Sequence, residues 1–175
     1  MFDTKVIINR FDDYLEAQGL SFEAIIIGGA ALNLMGVISR ATNDVDCLES
    51  EIPGPIKQAI RDFAVEHGLD QHWFNNGPAS LIKNLDADWK NKIEKIFKGK
   101  VLTLYTLSRL DLIRSKVWAM CDRQIDLGDC VALRPTAAEL DAITPWLSGV
   151  DLNPDWPRHV EVVVGLLKKE LGGEM

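Results

Sequence analysis

Cysteine is scarce in this chain, with Cys47, Cys121 and Cys130 the only three in 175 residues. An odd count without C-x-x-C spacing excludes a disulfide framework and a cysteine zinc site, and it fits a reducing compartment. His67, His72 and His159 are scattered, and none stands at a metal-ligand spacing. Long hydrophobic runs are missing too. The most apolar stretch, 24–38, contains Asn33 and is followed by Arg40 and Asp44. It falls short of the roughly 20 residues of a spanning helix, so no membrane partner is expected. Met1-Phe2-Asp3-Thr4 lacks the basic start and apolar run of a signal peptide, and the expected location is cytoplasmic. Positive charge is in deficit: 19 Lys and Arg stand against 26 Asp and Glu, a net charge of −7. That balance excludes a broad nucleic-acid-coating surface and leaves room for a local basic site. No internal repeat or low-complexity segment is visible.

What is present describes a folded protein. Hydrophobic residues make up 47% and charged residues 26%, which excludes wholesale disorder. A chain of this length buries a core without cross-links, as one domain with or without a helical extension. Residues 4–18 carry Val6, Ile7, Phe11, Tyr14 and Leu15 at helical spacing, with Gly19 as a stop. The β-branched run 22–27 reads as a buried strand ended by Gly28-Gly29. A short helix over 30–35, a strand over 44–48 and an amphipathic helix over 56–67, closed by Gly68, follow. Asn75-Asn76-Gly77-Pro78 is a turn signal. Six lysines fall between Lys83 and Lys100, the one locally basic stretch, and a solvated helix face is its plain reading. Residues 100–106 alternate as a third strand. Beyond them the chain reads as helical, with capping-box patterns at Ser108-x-x-Asp111 and Thr136-x-x-Glu139. Asn153-Pro154 reads as a cap and first helical residue, and the last helix ends at Gly172-Gly173. The predicted fold is α/β (α+β): a small mixed sheet with flanking helices over 1–107, then a helical section, 108–175, packed on it as one unit.

The chemistry concentrates in Ile25-Ile-Ile-Gly28-Gly29-Ala30 and in Arg40-Ala-Thr42-Asn43-Asp44-Val45-Asp46. A strand running into Gly-Gly lets a backbone approach a phosphate closely. Asp44 and Asp46, one residue apart on a predicted strand, put both carboxylates on one face with Val45 turned inward. Two neighbouring carboxylates repel unless a cation lies between them, and hard oxygen ligands suit Mg²⁺, which brings a nucleoside triphosphate with it. The dinucleotide-binding fingerprint G-x-G-x-x-G fails, because position 30 is Ala and position 33 is Asn.

These residues resemble the nucleotidyltransferase superfamily that includes DNA polymerase beta, and within it the bacterial AbiEii-like toxins and related small proteins. The shared pattern is Gly-Gly-x-Ala-x-x-x-x-Gly followed by Arg-x-Thr-x-Asp-hydrophobic-Asp. Here it falls on Gly28, Gly29, Ala31, Gly36, Arg40, Thr42, Asp44, Val45 and Asp46. A second pattern follows, with Lys116, Arg123, Asp126, Leu127 and Asp129; on a continuous helix Lys116, Arg123 and Asp126 share a face. The resemblance implies that Gly28 and Gly29 cradle the triphosphate. It implies that Asp44 and Asp46 hold Mg²⁺ (or Mn²⁺) and activate an acceptor hydroxyl. Lys116 would meet phosphate, Asp126 would orient Lys116 or accept a proton, and Arg40, Thr42 and Arg123 would add nucleotide contacts. A toxin role implies an antitoxin protein as partner. The acceptor stays open among RNA, a protein and a small molecule. Active relatives often have a third carboxylate on a neighbouring strand; the strand over 101–106 has none, and Thr103 or Tyr105 occupies that place. The rival expectation is a degenerate nucleotide-binding or protein-interaction domain. Cys47, beside Asp46, is a site for a reporter reagent.

Overall fold

Asp3 starts the first helix by accepting the Val6 N–H on its side chain, at 3.1 Å. In the computed structural model, which describes residues 1–123 and 126–172, that helix is α1, Thr4–Ala17. Strand β1, Phe22–Ile27, leads into α2, Gly28–Leu34. Strand β2, Val45–Glu49, leads into α3, Gly54–His67, which Gly68 closes in the left-handed conformation with φ +63. Strand β3 is Phe74–Asn75, and 3-10 turns cover Gly77–Asn84 and Trp89–Lys92. Strands β4, Glu94–Lys98, and β5, Leu102–Thr106, complete a five-stranded sheet of order β3-β2-β1-β5-β4. The pairs β1–β5 and β2–β3 are parallel, whereas β1–β2 and β4–β5 are antiparallel.

The sheet has one dry face. Ala24, Ile26, Val45, Cys47, Leu102 and Leu104 share a core with Ile8, Phe11 and Leu15 of α1 and with Ile60, Phe63 and Ala64 of α3. Trp73 stands edge-on to Phe11 with ring centroids 5.1 Å apart, and its indole N–H donates to the Ile60 carbonyl at 3.2 Å. Burying such a side chain fully is worth roughly 1.5–3 kcal/mol. The opposite sides of β1, β4 and β5 stay partly open, with Glu23, Lys95 and Lys98 exposed and Ile25, Thr103 and Tyr105 half-buried.

One carboxylate ties α1 to this sheet. Asp12 is 4% exposed, yet it accepts three backbone N–H groups at the β4–β5 turn: Lys100 at 2.8 Å, Val101 at 3.0 Å and Leu102 at 2.8 Å. Gly99 is required there, because a Cβ would collide with the Asp12 carboxylate. Burial pushes the Asp12 carboxyl up, but the three backbone donors and the Lys100 charge outweigh it and hold the carboxyl below its ordinary value.

The chain divides into two compact units, Met1–Ser108 and Arg109–Met175. The described part of the second unit holds α4 (Arg109–Arg123), α5 (Leu127–Ala132), α6 (Ala137–Ser148) and α7 (Trp156–Gly172). Thr136 and Glu139 form the expected capping box of α6. The carboxylate of Glu139 also takes the Arg109 guanidinium at 2.8 Å, which with the Thr136 N–H draws its carboxyl below the usual value. The Trp156 indole donates to the Leu147 carbonyl at 2.7 Å.

The mixed sheet with flanking helices and a helical C-terminal region is the fold class that the sequence predicts, with several differences of detail. Helix α2 starts on the glycines themselves. Strand β2 starts at Val45, which leaves Asp44 just outside it. The lysine-rich stretch is not a helix face. It forms 3-10 turns and β4, an edge strand whose alternation is broken by a register shift between Lys95 and Phe97. Strand β3 is only two residues long. Helix α4 is described as far as Arg123, and α7 begins at Trp156 after an Asn153 turn that accepts the Asp155 N–H at 3.0 Å. Gly173, the expected stop, lies outside the described residues.

Asp12→Ala is expected to destabilise the protein by about 3 kcal/mol, because three donors lose a charged acceptor. Since the folded carboxyl sits below its unfolded value near 3.8, its contribution is complete above about pH 4 and fades as pH falls through the folded value. Urea unfolding of wild type and Asp12→Asn between pH 3 and 7 checks both effects; the variant is expected to show the shallower acid loss.

Candidate functional site

Position 28 sets the geometry of the first unit's site. Gly28 carries φ +76, a conformation that costs an L side chain roughly 1–2 kcal/mol. A Cβ built there would lie 2.8 Å from Asp46 Oδ2. The space a side chain would fill therefore belongs to the Asp46 carboxylate. At Gly29 a Cβ would stand 3.1 Å from Thr42 Cγ2 and 3.4 Å from a guanidinium nitrogen of Arg40. Gly28, Gly29, Arg40, Thr42 and Asp46 thus converge at the end of β1.

The loop between α2 and β2 is pinned twice. The buried Asn33 side chain donates to the Arg40 carbonyl at 3.0 Å. Thr42 exchanges backbone hydrogen bonds with Phe2, at 2.8 and 3.2 Å. The hydroxyl of Thr42 lies 3.2 Å from that of Thr4, and the residue is 4% exposed. Thr42, expected as a nucleotide contact, instead spends its hydroxyl inside the fold and its methyl against Gly29. Arg40 is exposed beside the glycines.

On β2 the alternation runs as expected around the buried Val45 and Cys47. Asp46 is half-buried and stands in register with Ile27 on one side and Asn75 on the other. Asp44 is exposed, one residue before the strand. Among the described residues no group of three His, Cys, Asp or Glu gathers as a ready cation cage. Two carboxylates still match Mg²⁺, which prefers one or two carboxylates, waters and substrate phosphates over an all-protein cage. The pocket left open by Gly28 gives one of them a fixed place. Ile25 pairs with Tyr105 and Glu23 with Thr103, so the neighbouring strand presents a phenol and a hydroxyl, not a third carboxylate, on the Asp46 side.

Cys47 does not suit a reporter reagent. It is fully buried, and burial pushes its thiol up to about 12.

In the second unit the expected cation is already matched. Lys116 is 8% exposed, with its ammonium 3.2 Å from Asp126 and 2.7 Å from Asp129. Arg123 reaches the other oxygen of Asp126 at 3.3 Å. Asp126 does not continue α4: it has φ +75 and caps α5, so the shared face is made by a helix break, not by one helix. Lys116 accordingly holds two carboxylates and does not stand free for phosphate. Asp129, its closer partner, was absent from the expected site residues, although the i,i+3 spacing from Asp126 signals it. Asn33, which anchors the Arg40 loop, had no local signal.

The Gly-Gly that follows β1 and faces the second carboxylate of the Asp-x-Asp is the pattern by which the sequence resembles a nucleotidyltransferase. The match to known families agrees: residues 6–132 fit the model described as "Nucleotidyltransferase of unknown function (DUF6036)", and the chain belongs to that family. Comparisons with curated proteins and with solved structures found no match. Among the described residues no helix is long and apolar enough to cross a membrane.

Gly28→Ala is expected to cost about 2 kcal/mol or more, from the left-handed backbone and the collision with Asp46. Combining it with Asp46→Ala relieves the collision, so a double-mutant cycle read by urea unfolding is expected to show a favourable coupling of about 1 kcal/mol. Lys116→Met removes the ammonium between the buried Asp129 and the half-buried Asp126 and is expected to cost about 3–5 kcal/mol. Adding Asp126→Asn and Asp129→Asn is expected to restore a large part of it by the same measurement.

Proposed function

We propose that the protein is a Mg²⁺-dependent nucleotidyltransferase that moves a nucleoside monophosphate from a nucleoside triphosphate to an acceptor hydroxyl. The observation that carries this reading is the Asp46 carboxylate seated in the space that Gly28 leaves at the end of β1. Family membership supports it.

In this reading the Gly28-Gly29 backbone admits the phosphates closely, and Arg40, exposed next to Gly29, meets them with a guanidinium. Asp44 and Asp46 hold Mg²⁺, which when bound neutralises phosphate charge and acidifies the attacking hydroxyl. The acceptor oxygen forms its bond to the α-phosphorus, and the bond from that phosphorus to the bridging oxygen breaks. Pyrophosphate leaves, and the hydroxyl proton passes to solvent or to a carboxylate. Asp126 fixes Lys116 and Arg123, so this cluster acts by holding α4 to α5. The AbiEii-like toxin role, an antitoxin partner and a cytoplasmic location belong to the same reading. Growth arrest on expression, abolished by Asp46→Asn, is its cellular outcome.

A second reading, a nucleotide-binding or protein-interaction domain without catalysis, is favoured by Tyr105 and Thr103 standing where active relatives often have a carboxylate. Calorimetric titration of each nucleoside triphosphate, with and without Mg²⁺, tests the first reading. Binding that requires Mg²⁺ is expected in wild type, with at least a tenfold loss in Asp44→Asn/Asp46→Asn. Equal binding by both proteins would sink the mechanism.

A further inference from the structure

The sheet of the first unit has a second face that the reading above does not use. Along β1 the residues alternate, and Ile25 points to the side opposite Ala24 and Ile26, which lie in the core. Register carries that face across the sheet. Ile25 pairs with Tyr105, Tyr105 with Lys95, Glu23 with Thr103 and Thr103 with Lys98. Asp46 joins it through Ile27. From β2 to β4 the face spans three strand spacings, about 14 Å, the length of roughly four stacked nucleotides at 3.4 Å each.

Its chemistry is uneven in a telling way. The Tyr105 ring is half-buried, and Lys95 Nζ lies over it, 5.6 Å from its centroid. Of the lysines in the basic stretch, Lys90 is matched by Glu49 at 2.6 Å, Lys92 by Asp88 at 2.9 Å and Lys100 by Glu16 at 2.6 Å. Among the described residues no carboxylate pairs with Lys95 or Lys98, both exposed on β4. The acids of the face lie away from β4: Glu23 in register with Thr103, and Asp46 and Glu49 on β2, where Glu49 holds Lys90. An open sheet surface with an aromatic ring and unmatched lysines, in a protein whose net charge is −7, is locally complementary to a polyanion that also has stackable rings. Single-stranded nucleic acid has that chemistry: phosphates meet lysines and bases stack on aromatic side chains.

We infer that this face is the acceptor platform, and that the acceptor is a single-stranded RNA end lying across β5 and β4, with a base on Tyr105 and phosphates at Lys95 and Lys98. This rests on the transferase reading for the word acceptor, but the face binds RNA whether or not transfer follows.

The test uses the full chain and a fluorescein-labelled single-stranded RNA of twelve uridines, with binding read by anisotropy over a salt series. Wild type is expected to bind. Lys95→Gln/Lys98→Gln is expected to weaken binding at least tenfold and to lower the salt slope by about 1.4, two single-strand phosphate contacts' worth. Tyr105→Leu is expected to weaken binding about fivefold to tenfold with the slope unchanged. Absence of RNA binding, or equal affinity in all three proteins, overturns the inference. So does concentration-dependent self-association of the lysine variant with unaltered RNA binding, which would make these lysines guards of an edge strand. Transfer of α-labelled nucleotide onto a protein instead of RNA also overturns it. Lysine-dependent RNA binding by a chain that takes up no triphosphate retires the transferase reading and leaves the face standing.

Discussion

The absence of a side chain at position 28 is the constraint around which the site is organised. Strand β1 passes at once into a helix whose first residue has φ +76, and only glycine does so without strain. The same missing Cβ makes room for a carboxylate from the adjacent antiparallel strand. Backbone geometry and acid placement are therefore one feature. The loop that delivers the acid is held from within the fold: Asn33 on the Arg40 carbonyl, and Phe2 and Thr4 on Thr42. Hydrogen bonds within the fold thus help to fix Asp46.

Both units bury acid and both resolve the cost locally. In the first, Asp12 collects three backbone N–H groups. In the second, Asp126 and Asp129 share the Lys116 ammonium. The two solutions differ in kind. Backbone donors carry no titratable proton of their own, so the Asp12 clamp responds chiefly to its own protonation. The Lys116 cluster is a balance of charges, and loss of any member upsets the charge match of its neighbours in a poorly solvated place.

Much of the fold was legible in the sequence because the signals are local. The run before Gly28-Gly29, the stop at Gly68 and the Thr136–Glu139 box each involve residues a few positions apart, and each stands in the structure where it was read. Features that depend on distant partners were not legible. The pairing of Asp12 with Leu102 crosses ninety residues and has no local trace. Strand β4 hid because its register shift places Ile96 and Phe97 side by side, which erases the period of two. Thr42 matched a motif by spacing, but only the nearby Thr4 decides where its hydroxyl turns. Lys116 and Asp126 were linked by periodicity, and the link holds by a different route, across a helix break at a left-handed aspartate.

The parallel pairing of Phe22 with Leu102 bears on how the chain comes together. Strand β1 lies at the centre of the sheet, yet one of its two edges is completed by a segment translated far later. Closing so long a loop has an entropic cost before any contact rewards it, so this pairing belongs late in assembly. During synthesis the β5-facing edge of a strongly apolar strand stands without its partner until residue 102 leaves the ribosome. The nascent first unit is then an open, sticky sheet. Its protection at that stage falls to α1, which precedes β1 and is made first, while the Asp12 clamp that fastens the last hairpin closes only when the whole unit has emerged.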